Sequence, residues 1–129
     1  PIEDGRVMSE GVAENVRNAM HDMIMYDNRK WLPHRDDFNY CGKSGTSKHI
    51  SGPAKDKYTS LFVAYGPLEE PEVLVLVVAF GTHGTTAHYY GSQVCGPAAA
   101  NILQHALKSR GTLPPSGLES GANKANLDR

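Results

Sequence analysis

Cysteine is scarce in this chain: Cys41 and Cys95 are the only two among 129 residues. Two thiols cannot build a disulfide framework, and one bridge between them does not follow from spacing, so both are expected to be buried and reduced. Long hydrophobic runs are missing as well. The longest, Val73–Phe80, has the length of a strand and falls far short of the roughly 20 apolar residues that span a bilayer. No signal-peptide pattern is read, and the chain opens on Pro1 rather than methionine, as a processed or partial chain does. A surplus of one charge is also absent, with 13 Lys and Arg against 14 Asp and Glu and a formal net charge of −1. Nucleic acid or an anionic membrane surface calls for a basic excess, so neither is expected as a partner. What remains is ordinary globular composition, 40% hydrophobic and 21% charged, enough for one domain with a modest core. No internal repeat is found.

Along the chain, Asp4-Gly5 reads as a turn in a polar lead-in. Ser9 is placed to cap a helix with Glu10 near its positive end. Val12, Val16, Met20, Met23 and Ile24 then recur at helical spacing to about Asp27. Met20, Met23 and Met25 are read as core filler, because methionine packs adaptably. Asn28–Phe38 is charged, with Trp31-Leu32-Pro33 as its apolar anchor, and the proline argues against a helix. Tyr58–Tyr65 and Val73–Phe80 read as strands joined through Gly66-Pro67-Leu68-Glu69-Glu70-Pro71, which favours an antiparallel hairpin. Val73–Phe80 is apolar at every position, so both of its faces are expected to be buried. Gly81–Gly91 reads as a loop, with Tyr89 and Tyr90 anchoring it to the core. A helix from about Ser92 to Arg110 carries Val94, Ala98, Ile102 and Ala106 with Ala99, Leu103 and Leu107 beside them, and Gly111 stops it. Thr112–Arg129 has almost nothing to bury and is expected to be a disordered tail following a domain of residues 1–111. The fold class is therefore α/β of the α+β type: a three-stranded antiparallel sheet packed between an N-terminal and a C-terminal helix.

One stretch carries chemistry, Tyr40-Cys41-Gly42-Lys43-Ser44-Gly45-Thr46-Ser47-Lys48. In an extended strand Ser44 and Thr46 project together and Gly45 leaves the other face bare, a frequent sign of close backbone approach. Two hydroxyls beside an ammonium form a cup for a carboxylate. At a sheet edge the same strand can also pair with an extended peptide. A plain turn is the competing reading of Gly-Lys-Ser-Gly-Thr. A phosphate-binding loop fails, since no glycine stands five residues before Gly42.

Lys43-Ser44-Gly45-Thr46 resembles the K-[ST]-G-T signature of penicillin-binding proteins and serine β-lactamases, the last of the set S-x-x-K, S-x-N, K-T-G. The order around it is similar too: a preceding helix, Tyr58–Pro67, a Pro/Glu turn, the aliphatic strand, His88-Tyr89-Tyr90-Gly91-Ser92 and a closing helix. From about Ser9 to Ser109 the chain resembles the last third of a class B penicillin-binding transpeptidase domain. The resemblance implies a five-stranded antiparallel sheet, of which this chain supplies three strands. It implies that Lys43 lies near the nucleophile and that Ser44 and Thr46 bind the terminal carboxylate of a D-Ala-D-Ala stem peptide or of a β-lactam. Gly45 would let the substrate backbone approach, and the Thr46 N–H would serve the oxyanion hole. No S-x-x-K or S-x-N occurs in the chain. The resemblance places both upstream, so the chain alone is expected to be inactive and to need the upstream part of the domain. It also implies a parent enzyme of cell elongation or division on the outer face of the bacterial cytoplasmic membrane, held by an N-terminal helix. A strictly flat strand puts Lys43 opposite Ser44 and Thr46. The G-T-G-type turn many relatives carry before the motif is not found in Asn28–Phe38.

Taken alone, the strand Val73–Phe80 would be an open hydrophobic edge through which two copies self-associate, unless the chain rearranges to cover it. Six histidines, His21, His34, His49, His83, His88 and His105, match no zinc spacing, and no metal or cofactor is expected. A cysteine nucleophile at Cys41 or Cys95 has no local signature. The other class of function is a free-standing module that holds peptides along Lys43–Thr46 without chemistry. Within the family, carboxypeptidase and β-lactamase activities stay open beside transpeptidation.

Overall fold

The computed structural model describes residues 5–26, 31–83 and 89–113. The expected turn at Asp4, the helix end at Asp27, the middle of the loop before Tyr89 including His88, and the tail beyond Leu113 lie outside them. The elements run α1 (Glu10–Met25), β1 (Cys41–Lys48), β2 (Tyr58–Gly66), β3 (Val73–Thr82), α2 (Gly91–Val94) and α3 (Gly96–Arg110). The strands form one antiparallel sheet in the order β1-β2-β3. The register between β1 and β2 is unbroken from Cys41 opposite Tyr65 to Lys48 opposite Tyr58. β2 and β3 align Gly66 with Val73, with one irregularity at Tyr58/Thr59.

Ser9 caps α1 as its sequence suggests, its hydroxyl accepting from the Val12 N–H at 3.4 Å. The helix then straddles the start of β1. On one face Cys41 Sγ donates to the Arg17 carbonyl at 3.3 Å and the Tyr65 hydroxyl to Met20 Sδ at 3.5 Å. On the other, Ile24 reaches the buried side chain of Phe62 across Gly42. Only the second half of the apolar stripe is used in this way. Val12 and Val16 stay exposed because β1 offers α1 little beyond Tyr40–Gly42.

The core lies between the sheet and α3: Phe62 and Ala64 of β2 meet Ala99, Ala100, Leu103 and Leu107, with Ile24, Leu32, Tyr40 and Cys95 around them. Leu32 is therefore the working part of the Trp31-Leu32-Pro33 anchor, and Tyr40 fastens the same segment by donating its hydroxyl to the Pro33 carbonyl at 2.8 Å. The closing helix is two pieces, with Cys95 between α2 and α3, and Pro97 falls in the first turn of α3 where its missing N–H costs little. Gly111 ends α3 at φ 79°, a left-handed cap, and the Thr112 N–H closes on the Leu107 carbonyl.

β3 departs from expectation in two ways. It continues through Gly81 to Thr82, and it buries one face only. Val73, Val75, Val77 and Ala79 pack against the core, whereas Leu74, Leu76, Val78 and Phe80 are 52–72% exposed. A run of unbroken hydrophobicity implies burial on both sides, but period-2 geometry gives each residue one side, and α3 covers just one.

Candidate functional site

The register fixes which side chains share a face. Paired residues of an antiparallel ladder point the same way, so Ser44 and Thr46 stand with their partners Phe62 and Ser60 on the side covered by α2 and α3. Lys43 stands with Val63, and thus with Leu76, on the opposite side, the one that bears the exposed row of β3. No twist or bulge brings Lys43 round to the hydroxyls. Its ammonium lies folded along the strand, donating to the Ser44 carbonyl at 2.8 Å. The motif is thus split by the sheet. Its cation belongs to the open apolar face and its hydroxyls to the edge beneath α2.

β1 is an outer strand, paired on one side only with β2. Among the described residues the Ser44 hydroxyl has no hydrogen-bond partner, and Lys43, Thr46 and Ser47 are exposed. Gly45 is shaped by two neighbours. A Cβ there would lie 3.0 Å from the Leu61 side chain, while the backbone that comes close to its carbonyl is that of Gly91. The Gly91 N–H donates to Thr46 Oγ1 at 2.9 Å. Tyr89, just before it, stacks on Tyr58 with ring centroids 4.0 Å apart, and the Ser60 hydroxyl donates to the Tyr89 carbonyl. Tyr89 thus anchors the loop as its sequence suggests, whereas Tyr90 stays 47% exposed with its ring against that of Tyr89. The approach of Gly91 to β1 was not legible, although Tyr-Tyr-Gly-Ser before a helix is the signal that marks it.

Other candidates gain nothing. Cys41 and Cys95 are free and buried, and burial pushes both thiols up from their ordinary range. Cys95 Sγ donates to the Ser60 carbonyl at 3.3 Å, so each thiol faces a backbone carbonyl rather than a histidine. His21 and His49 bond to the Tyr40 carbonyl and the Thr59 hydroxyl, and His34 ties the segment before β1 to Asn101 of α3. Among the described residues no three acidic, histidine or cysteine side chains converge as metal ligands would.

Comparison with known proteins gives the arrangement a context. Residues 1–104 match the model of the penicillin binding protein transpeptidase domain. The chain is 31% identical over 117 residues to a probable peptidoglycan D,D-transpeptidase, PbpC, of Pseudomonas aeruginosa. It is 23% identical over 115 residues to the peptidoglycan D,D-transpeptidase FtsI of Buchnera aphidicola. Each alignment covers 88% of this chain and 20% of the relative, so the chain spans about a fifth of the length of these proteins. Among solved structures, the apo transpeptidase domain of Burkholderia pseudomallei penicillin-binding protein 3 superposes with a TM-score of 0.66 at 27% identity, over 88% of this chain and 34% of that one. A peptidoglycan synthetase from Bifidobacterium adolescentis, at 23% identity and a TM-score of 0.68, shares the fold over 88% of this chain and 20% of its own.

Proposed function

Because the chain belongs to the penicillin-binding protein transpeptidase domain family and covers part of that domain, we propose that it carries the carboxylate-binding side of a class B peptidoglycan D,D-transpeptidase active site. The observation that carries this reading is the split of Lys43-Ser44-Gly45-Thr46 across an open sheet edge. Ser44 and Thr46 offer hydroxyls to the terminal carboxylate of a D-Ala-D-Ala stem peptide, or to that of a β-lactam, and the backbone of Gly45 between them is where the ligand backbone approaches along the open edge. The Thr46 N–H donates to the oxyanion, a contribution whose loss typically costs about a hundredfold or more in rate. Lys43, on the opposite face, stands in the proton network of a serine nucleophile that this sequence does not contain.

That nucleophile arrives with the rest of the domain, which covers the face of Leu74, Leu76, Val78 and Phe80 and so reaches Lys43. The chain by itself binds no acyl group, and its β3 edge, left open, pairs with a second copy. No described helix is long and apolar enough to cross a membrane. The enzyme is placed on the outer face of the cytoplasmic membrane by a segment outside this chain.

The test is labelling of the full-length protein with a fluorescent penicillin. Lys43→Ala should abolish acylation and Thr46→Ala weaken it; full labelling of Lys43→Ala would overturn the roles. The open edge of β1 also suits a peptide-binding module without chemistry, and calorimetry separates the two. A D-Ala-D-Ala peptide that binds this chain alone, in a manner dependent on Ser44 and Thr46, would favour the module.

A further inference from the structure

The contact between Gly91 and Thr46 has a chemical direction. A threonine hydroxyl has two lone pairs and one proton. Here one lone pair is taken by the Gly91 N–H at 2.9 Å, and among the described residues no acceptor takes the proton. A backbone N–H can only donate, so it forbids the rotamer in which the Thr46 proton would point at Gly91. The hydroxyl is left to donate in a direction other than Gly91, and so is free for a ligand.

Gly91 is held in that place from several sides. A Cβ on it would run into the Leu61 and Gly45 carbonyl oxygens, so only glycine lets the chain lie flat across β1 and β2. The Tyr89 ring stacks on Tyr58 at 12° between planes, and the Ser60 hydroxyl grips the Tyr89 carbonyl. On the far side the Cys95 N–H closes on the Gly91 carbonyl at 2.9 Å, and Cys95 Sγ in turn reaches the Ser60 carbonyl. Ser60 is fully buried and sits opposite Thr46 in the ladder, so the strand that carries the hydroxyl also fixes its donor.

We propose that Gly91 is a positioning residue whose N–H turns the Thr46 hydroxyl into a fixed donor for the ligand carboxylate. The inference rests on the reading that Thr46 binds that carboxylate. It is tested in the full-length protein by the ratio of acylation rate constants for a penicillin and for the same penicillin with its carboxylate esterified. Thr46→Val and Gly91→Ala should each lower the ratio, by about tenfold for a lost hydrogen bond to a charged group. The double variant should lose no more than either single one, because both remove one donor. A folded Gly91→Ala protein that keeps the wild-type ratio, or loses both rates equally, overturns the role of Gly91 and leaves the carboxylate reading intact. A wild-type ratio in Thr46→Val overturns the carboxylate reading and this inference with it. Should Gly91→Ala fail to fold, Ser60→Ala takes its place, since it releases the Tyr89 carbonyl. A fall in the ratio is again expected, and an unchanged ratio again refutes the proposal.

Discussion

Gly42→Ala tests how tightly the motif strand is packed. A Cβ at Gly42 would lie 2.7 Å from Ile24 Cδ1 and 2.8 Å from Phe62 Cε1 and Cζ. Carbon atoms rest at about 3.5–4.0 Å, so the added methyl overlaps both neighbours by roughly 1 Å. Both are fully buried and neither has solvent to move into. Overpacking of this kind costs about 1–3 kcal/mol, against which the stiffer unfolded chain returns about 0.4–1 kcal/mol. The net expectation is a loss of about 1–2 kcal/mol. In a domain of this size that is a fall in melting temperature of roughly 5–15 °C. Urea unfolding followed by circular dichroism measures it. Ile24→Val removes the Cδ1 atom and costs about 0.5–1.5 kcal/mol by itself. In the Gly42→Ala background it should recover part of the loss, giving a coupling of about 0.5 kcal/mol or more. Wild-type stability of Gly42→Ala, or strict additivity in the double variant, would refute the packing described for α1, β1 and β2.

Three further outcomes follow from the same structure. Tyr65 has its phenol pushed up to about 12, first by burial and then by the neighbouring Cys41 thiol. A folded-state value above the unfolded one means stability is whole below pH 10 and falls as pH rises toward 12; Tyr65→Phe should flatten that fall, and an unchanged alkaline profile would count against it. The thiols of Cys41 and Cys95, buried and raised, should react with a disulfide reagent at pH 8 only after unfolding, and rapid modification of the native chain would contradict their placement. Leu76→Lys, at a position 57% exposed on β3, should leave folding stability within about 0.5 kcal/mol. It should also disperse any dimer of the isolated chain seen by sedimentation, and a dimer unaffected by it would place the contact elsewhere.

Much of this was legible from side-chain pattern. Ser9, the β2–β3 hairpin, Pro97 and Gly111 act through local backbone chemistry, which a sequence states directly. The split faces of Lys43-Ser44-Gly45-Thr46 were legible once the stretch is read as a strand, because alternation is a property of the strand alone, whereas its place at the sheet edge depends on pairing. What failed was tertiary. The aliphatic run of β3 suggested cover on both sides, yet Leu74, Leu76, Val78 and Phe80 stay 52–72% exposed. The stripe of α1 likewise suggested continuous packing, while Val12 and Val16 stay 49% and 45% exposed. Both concern apolar side chains left exposed among the described residues of a chain that spans about a fifth of the length of its relatives.

The break between α2 and α3 is the feature with the clearest functional logic. Cys95 between the two pieces stays in the helical region, its N–H donating to the Gly91 carbonyl and its carbonyl accepting from the Ala99 N–H. The N-terminal piece lays Gly91 against Leu61 and Gly45, while the second packs Ala99, Leu103 and Leu107 on the core. Cys95 is itself tied to the sheet, through its Sγ on the Ser60 carbonyl, so core packing and the orientation of Thr46 are joined through one strand. β1 is held at its start by Ile24 and Cys41, and at its middle by Gly91, while its outer edge stays unpaired. A strand fixed on both faces and free along one edge can offer its hydroxyls to a ligand without reorganising, which is the condition under which hydrogen-bond donors assist a reaction most.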